Sequence, residues 1–203
     1  MRNKVIAFFI FFLLSVTVHA QQWAFELWHE GKIVLVSGDT LKGLVKYDLQ
    51  QDLIQYNSQR GNIEAYTARK VLLFEIFDKT VGQYRQFFAL PYNASGGYRA
   101  PVFFELLAEG KMTLLVRENL EYRSYSSPYY YGSYSRLVLV YKFYLLEENG
   151  NITEFTGKKS DLMQLMGKRA GAVEDYMREN KLKIEDRDDF VKIVSYYNSF
   201  FKT

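Results

Sequence analysis

Apolar and polar residues alternate along much of this chain, most cleanly between Gly31 and Asp48. Leu41, Gly43, Val45 and Tyr47 fall on one face and Thr40, Lys42, Leu44 and Lys46 on the other, which is the two-residue period of a half-buried strand. Ser37-Gly38-Asp39 separates this strand from the apolar Ile33-Val34-Leu35 run. Gly tolerates positive φ and Asp bonds its own following backbone, so the three residues predict the turn of a founding hairpin.

Similar punctuation recurs downstream. Leu53 to Asn57 and Asn62 to Thr67 read as a second strand pair. Val71 to Phe77 is apolar on both faces apart from Glu75, which predicts a central strand. Gln83 to Leu90 sets Tyr84, Gln86 and Phe88 against Arg85 and Phe87 and is expected to end at Pro91; Pro91 to Pro101 carries a strong loop signal. Val102 to Glu109 and Lys111 to Asn119 form a hairpin about Gly110, with Met112, Leu114 and Val116 on one face. Leu137 to Leu146 is the longest apolar strand, and Asn149-Gly150 turns it into Ile152 to Phe155.

From Lys158 the period becomes helical. Ser160 is expected to cap a helix through Leu162, Met163, Leu165 and Met166, which Gly167 to Gly171 breaks. Ala172 to Asn180 gives a second helix with Val173, Tyr176 and Met177 on one side. Asp186 caps a third, on which Phe190, Ile193, Val194, Tyr197 and Phe201 recur at helical spacing. The expected fold class is α+β, predominantly antiparallel β: about ten strands as a barrel or sandwich, with a C-terminal cap of three short helices. Residues 1–20 read as a leader, 21–157 as the β-domain and 158–203 as a helical cap packed on it.

The leader changes the compartment. Arg2 and Lys4 precede an apolar run from Val5 to Leu14, and Val18-His19-Ala20 offers small residues before a cleavage point, the order of a secretory signal peptide. The apolar run is shorter than the roughly 20 residues of a bilayer span, and no cysteine follows it to carry a lipid anchor. The chain is therefore expected to be exported, to the periplasm, the cell surface or the medium. Without Arg2 and Lys4, the 26 basic residues come close to balance with the 23 acidic ones, which gives no electrostatic reason to expect nucleic acid. With no cysteine, the fold relies on burial of its aromatic residues, 17 Tyr and the 12 of its 16 Phe that lie beyond the leader among them. His29 is the one histidine beyond the leader, so zinc sites and Cys or Ser-His nucleophiles have almost no raw material. No metal or cofactor is expected, and His29 reads as a surface residue near the mature amino-terminus.

The leader, Gly38-Asp39-Thr40-Leu41-Lys42-Gly43 in its hairpin, the aromatic strands, the Lys158-Lys159-Ser160-Asp161-Leu162 helix start and Tyr196-Tyr197-Asn198 together resemble exported proteins of Bacteroidetes-type bacteria. The resemblance implies an envelope location and brings no activity or catalytic residue with it. Asp39-Thr40-Leu41 also looks like the short O-glycosylation signal of such bacteria, although Asp39 and Thr40 serve the turn equally well.

The most unusual segment runs from Glu121 to Arg136 and holds six tyrosines among Ser, Gly and Pro. This is the composition of adaptable recognition surfaces, in which a flat amphipathic ring supplies contact area at low entropic cost. Read as a loop, it makes Tyr122, Arg123, Tyr125, Tyr129, Tyr130, Tyr131, Tyr134 and Arg136 the candidate binding residues, with an envelope protein or glycan as partner; a hairpin tip folded back on the sheet explains the same composition. Catalysis has only carboxylates to draw on: Glu105 and Glu109 on one face of a strand, and Glu75 within an apolar one. A membrane barrel is disfavoured, because Glu75, Arg85 and Lys142 interrupt the strands and the chain ends in helices. The sequence thus reads as a non-enzymatic binding or structural module of the envelope, the alternative being a carboxylate-based envelope hydrolase.

Overall fold

A computed structural model describes residues 23–58, 61–93, 97–126 and 133–201. A 3-10 turn at Ala24–Glu26 leads into ten strands: β1 (His29–Leu35), β2 (Thr40–Asp48), β3 (Leu53–Asn57), β4 (Ile63–Thr67), β5 (Val71–Asp78), β6 (Gln83–Tyr92), β7 (Ala100–Ala108), β8 (Thr113–Ser126), β9 (Ser133–Leu146) and β10 (Ile152–Phe155). All belong to one antiparallel sheet of order β10-β9-β8-β7-β6-β5-β1-β2-β3-β4. The founding hairpin forms as expected, with Val34 opposite Thr40, Gly31 opposite Gly43, and Val45 and Tyr47 facing inward. β5 lies near the middle of the order, between β6 and β1.

The barrel expectation is corrected. β4 and β10 are the two ends of the order and do not pair with each other, so the sheet is open. It folds over on itself instead. Tyr47 on β2 packs edge-on against Phe74, Phe87 and Phe103, its ring centroid 5.7 Å from that of Phe103 on β7. In a flat sheet those strands would stand about 19 Å apart, four strand spacings. The curl encloses an aromatic core of Ile33, Val45, Ile54, Phe74, Ile76, Phe87 and Phe103.

A second fold occurs between β7 and β8, which pair only through Glu105–Ala108 and Leu114–Val116, with a register slip after Leu106. Beyond that point the outer half of the β6–β7 hairpin leaves β8 and lies over the opposite face of β8 to β10. There Tyr92, Phe104 and Tyr144 meet edge-on at 5.0–5.5 Å. Among the described residues Arg117 to Ser126 of β8 pairs with β9 alone, so the β8–β9 hairpin continues outward as a two-stranded ribbon.

Three helices follow: α1 (Lys159–Met166), α2 (Ala170–Glu179) and α3 (Arg187–Ser199). Lys158 rather than Ser160 is the first cap residue of α1; Ser160 lies inside the helix and donates to Asp161. Gly167, at φ +53°, ends α1 in a backbone conformation that favours glycine. Asp186 caps α3 as expected, accepting from the Asp188 and Asp189 backbone N–H groups. Leu162, Met166, Val173, Met177, Phe190, Ile193, Val194 and Tyr197 share one core with Met112, Leu114, Val116, Phe143 and Leu145 of the sheet. Phe201 stays outside it, 45% exposed. Asn198 locks the joint: its Oδ1 accepts from Met112 N–H and its Nδ2 donates to Met112 C=O, both at 2.8 Å.

Candidate functional site

Two regions concentrate chemistry. Three of the six tyrosines of the Glu121–Arg136 segment, Tyr122, Tyr125 and Tyr134, are carried by strands, since β8 runs on to Ser126 and β9 begins at Ser133. Tyr and Ser alternate there at the strand period, and the register is unbroken from Thr113 opposite Leu146 to Ser126 opposite Ser133. Tyr125 and Tyr134 are direct cross-strand partners, stacked at 5.6 Å between centroids, and the Arg136 guanidinium lies 5.7 Å from the Tyr125 ring centre. Arg123 shares their face; Tyr122 occupies the other and is 77% exposed. Tyr129, Tyr130 and Tyr131 lie outside the described residues. The ribbon therefore offers one face with a stacked tyrosine pair and two arginines, and another with a lone exposed ring.

The second region was not singled out by composition. Arg85 on β6, Asp78 at the end of β5, Glu105 on β7 and Glu118 on β8 meet on the core-facing side of the sheet. Arg85 donates from Nε and Nη2 to the two Glu105 oxygens at 3.0 and 2.8 Å, from Nη2 to Glu118 at 2.7 Å, and from Nη1 to Asp78 at 3.2 Å. Arg187, in the first turn of α3, adds a 2.7 Å bond to Glu105. The network lies at a cavity of about 470 Å³ whose walls include Phe25, Tyr141 and Val191. Its visible signal in the sequence is the period of two: Arg85 precedes core Phe87 by two, Glu105 follows Phe103 and Glu118 follows Val116 by the same step.

Burial by itself opposes the Arg85 charge, yet Glu105 and Glu118 outweigh it and hold the guanidinium protonated. Burial also pushes the Glu118 carboxyl above its ordinary range; Arg85 works against this and Glu105 adds to it. Asp78 goes the other way: burial raises it, but the Thr80 hydroxyl and backbone N–H that it accepts, together with Arg85, bring it below the usual carboxylate value.

Glu75, Glu105 and Glu109 are not brought together. Glu75 faces the opposite side of the sheet and pairs with Lys32 at 3.1 Å, while Glu109 lies beyond the end of β7 and is exposed. Glu105, 3% exposed, is held by two arginines. His29 is corrected from a surface residue to a core one, 1% exposed, its Nε2 2.7 Å from the Ala24 carbonyl and its Nδ1 3.2 Å from that of Phe77. Among the described residues no group of three or more His, Asp or Glu could hold a metal ion, and no helix is long and apolar enough to cross a membrane.

These features define a folded-over, open antiparallel sheet with a helical cap, an exposed aromatic ribbon and a buried ion network. No family model, curated protein or solved structure matches the chain.

Proposed function

We propose that the chain is an exported, non-enzymatic binding or structural module of a bacterial envelope, which uses the β8–β9 ribbon to engage an envelope protein or glycan. The observation that carries this reading is the stacked Tyr125–Tyr134 pair with Arg136 over it, displayed on a ribbon that, among the described residues, neither helices nor other strands cover at Tyr122 to Ser126. Such a face suits a sugar ring or a planar peptide group by stacking, and Arg123 and Arg136 suit acidic substituents.

The hydrolase alternative has less support, because Glu75 and Glu109 stand apart from Glu105, and the carboxylates that do meet at the cavity, Asp78, Glu105 and Glu118, are paired with Arg85 and Arg187. Capture of envelope extract and of a glycan array by the wild-type chain, compared with a variant lacking Ser124 to Ser133, tests the proposal. Binding is expected to vanish with the ribbon; equal binding by both removes the ribbon from the reading.

A further inference from the structure

The free edge of β8 points to a second copy of this chain: the geometry points to a symmetric dimer in which the Asn119–Tyr125 edges of two ribbons pair antiparallel about Tyr122. This rests on the ribbon being the interaction element proposed above, and adds a partner for its edge rather than its face.

Within the described residues, Glu118 to Ser126 has β9 on one side and no strand on the other. Every second residue of such an edge directs its N–H and C=O outward, a template for another strand. Edges are ordinarily protected by Pro, by charged side chains or by a bulge. This stretch contains no Pro, its ladder with β9 is regular throughout, and its exposed-side charges, Glu121 and Arg123, are of opposite sign, so they can match a second copy rather than repel it.

The side chains select the register. Opposed residues of an antiparallel pair point to the same face, so a twofold axis perpendicular to the sheet must pass through a residue. An axis at Leu120 sets Arg117 against Arg123; at Glu121 or Arg123 it sets a charge against its own copy. At Asn119 it needs Leu115, which is already buried in the core, and Arg117, which is bonded to Asp52. An axis at Tyr122 avoids all of these. It sets Glu121 against Arg123 twice, Asn119 against Tyr125 twice, and Tyr122, 77% exposed, against itself. Glu121 is free to respond, since its contact to Lys142 is a loose 3.7 Å with both side chains partly exposed.

Sedimentation velocity over a concentration series, with charge reversals, is the test. The purified chain is expected to show a concentration-dependent dimer. Glu121→Arg and Arg123→Glu alone are each expected to weaken it at least tenfold, and the double reversal to restore it. Since the chain has no cysteine, Tyr122→Cys supplies one thiol per copy. Under copper-phenanthroline oxidation it should cross-link quantitatively, because directly opposed residues lie within disulfide range. Ser124→Cys, set opposite Leu120, should not.

A chain that stays monomeric at all concentrations, a dimer indifferent to either reversal, or cross-linking through Ser124→Cys in preference to Tyr122→Cys overturns the pairing. A monomer that still captures its envelope partner refutes the dimer alone, and a dimer that captures nothing refutes the partner reading alone.

Discussion

Glu105 and Glu118 touch the same guanidinium, yet their removal has different consequences. Glu105 bonds both Arg85 and Arg187, so Glu105→Gln leaves two arginines short of their main counter-charge, and breaking a buried pair in this way costs about 3–5 kcal/mol. Glu118 is the third carboxylate on one arginine, and burial raises its pKa. A group whose folded pKa lies above its unfolded value contributes stability that is fully present below the unfolded value and lost as pH rises through the folded one. Asp78, with a lowered pKa, has the opposite sign: its contribution is present above its unfolded value and lost as pH falls through the folded one. Glu118→Gln is therefore expected to gain on the wild type as pH rises from the ordinary Glu value of about 4.3 through the raised folded one, and Asp78→Asn to flatten the acid limb. Urea unfolding across that range decides; parallel wild-type and Glu118→Gln curves would show that Glu118 does not carry the pH dependence. Asn198 gives a second case. Asn198→Leu leaves the buried Met112 N–H and C=O without their partner, at a cost of about 1–3 kcal/mol for each group, and a melt with no loss would remove Asn198 as the lock.

At the level of elements, the helical cap is the clearest dependency. α3 buries Phe190, Ile193, Val194 and Tyr197 against the sheet, each worth roughly 1.5–3 kcal/mol, and a helix of this length is marginal alone. Ending the chain at Lys158 bares Leu114, Val116, Phe143 and Leu145, so the truncated protein is expected to aggregate, as read by light scattering. A soluble truncated protein with unchanged oligomeric state and melting temperature would make the helices a separate appendage. This stripe was legible in the sequence because helical periodicity is a local property; so were most strands and the Asp186 cap. The strand ends were less so. β6 continues through Pro91, which sits opposite Pro101 near the hairpin end, where a missing N–H is tolerated. The tyrosine segment read as a loop or a hairpin tip from its Ser, Gly and Pro content, yet its flanks, Glu121–Ser126 and Ser133–Arg136, are strand, in keeping with the high strand propensity of Tyr and its alternation with Ser.

For the whole molecule, the features that sequence could not yield are those made by contacts distant along the chain. The fold-over between β7 and β8, the open edges, and the meeting of Arg85 with residues from three other strands all depend on which faces the curl brings together. The curl is fastened by side chains rather than by a backbone ladder. Tyr47 Oη donates to Asp52 Oδ1 at 2.6 Å, and Arg117 Nη2 donates to the same oxygen at 3.2 Å, tying the β2–β3 turn to the root of the ribbon on β8. Burial, and then Asp52, push the Tyr47 hydroxyl well above its ordinary pKa, so it remains a donor at physiological pH. Asp52 itself sits at φ +51°, a left-handed conformation that Asn also tolerates. Hydrogen bonds to a charged group contribute about 1.5–3 kcal/mol each, so Asp52→Ala is expected to cost more than Tyr47→Phe or Arg117→Met. Because both donors share one oxygen, the last two should be coupled by about 0.5–3 kcal/mol in a double-mutant cycle. Hydrogen exchange in β3 and β4 should rise with the same variants, since these strands form the free end of the curl. Additive costs, or exchange that rises equally in β8 and β9, would show that the aromatic core alone holds the sheet curled.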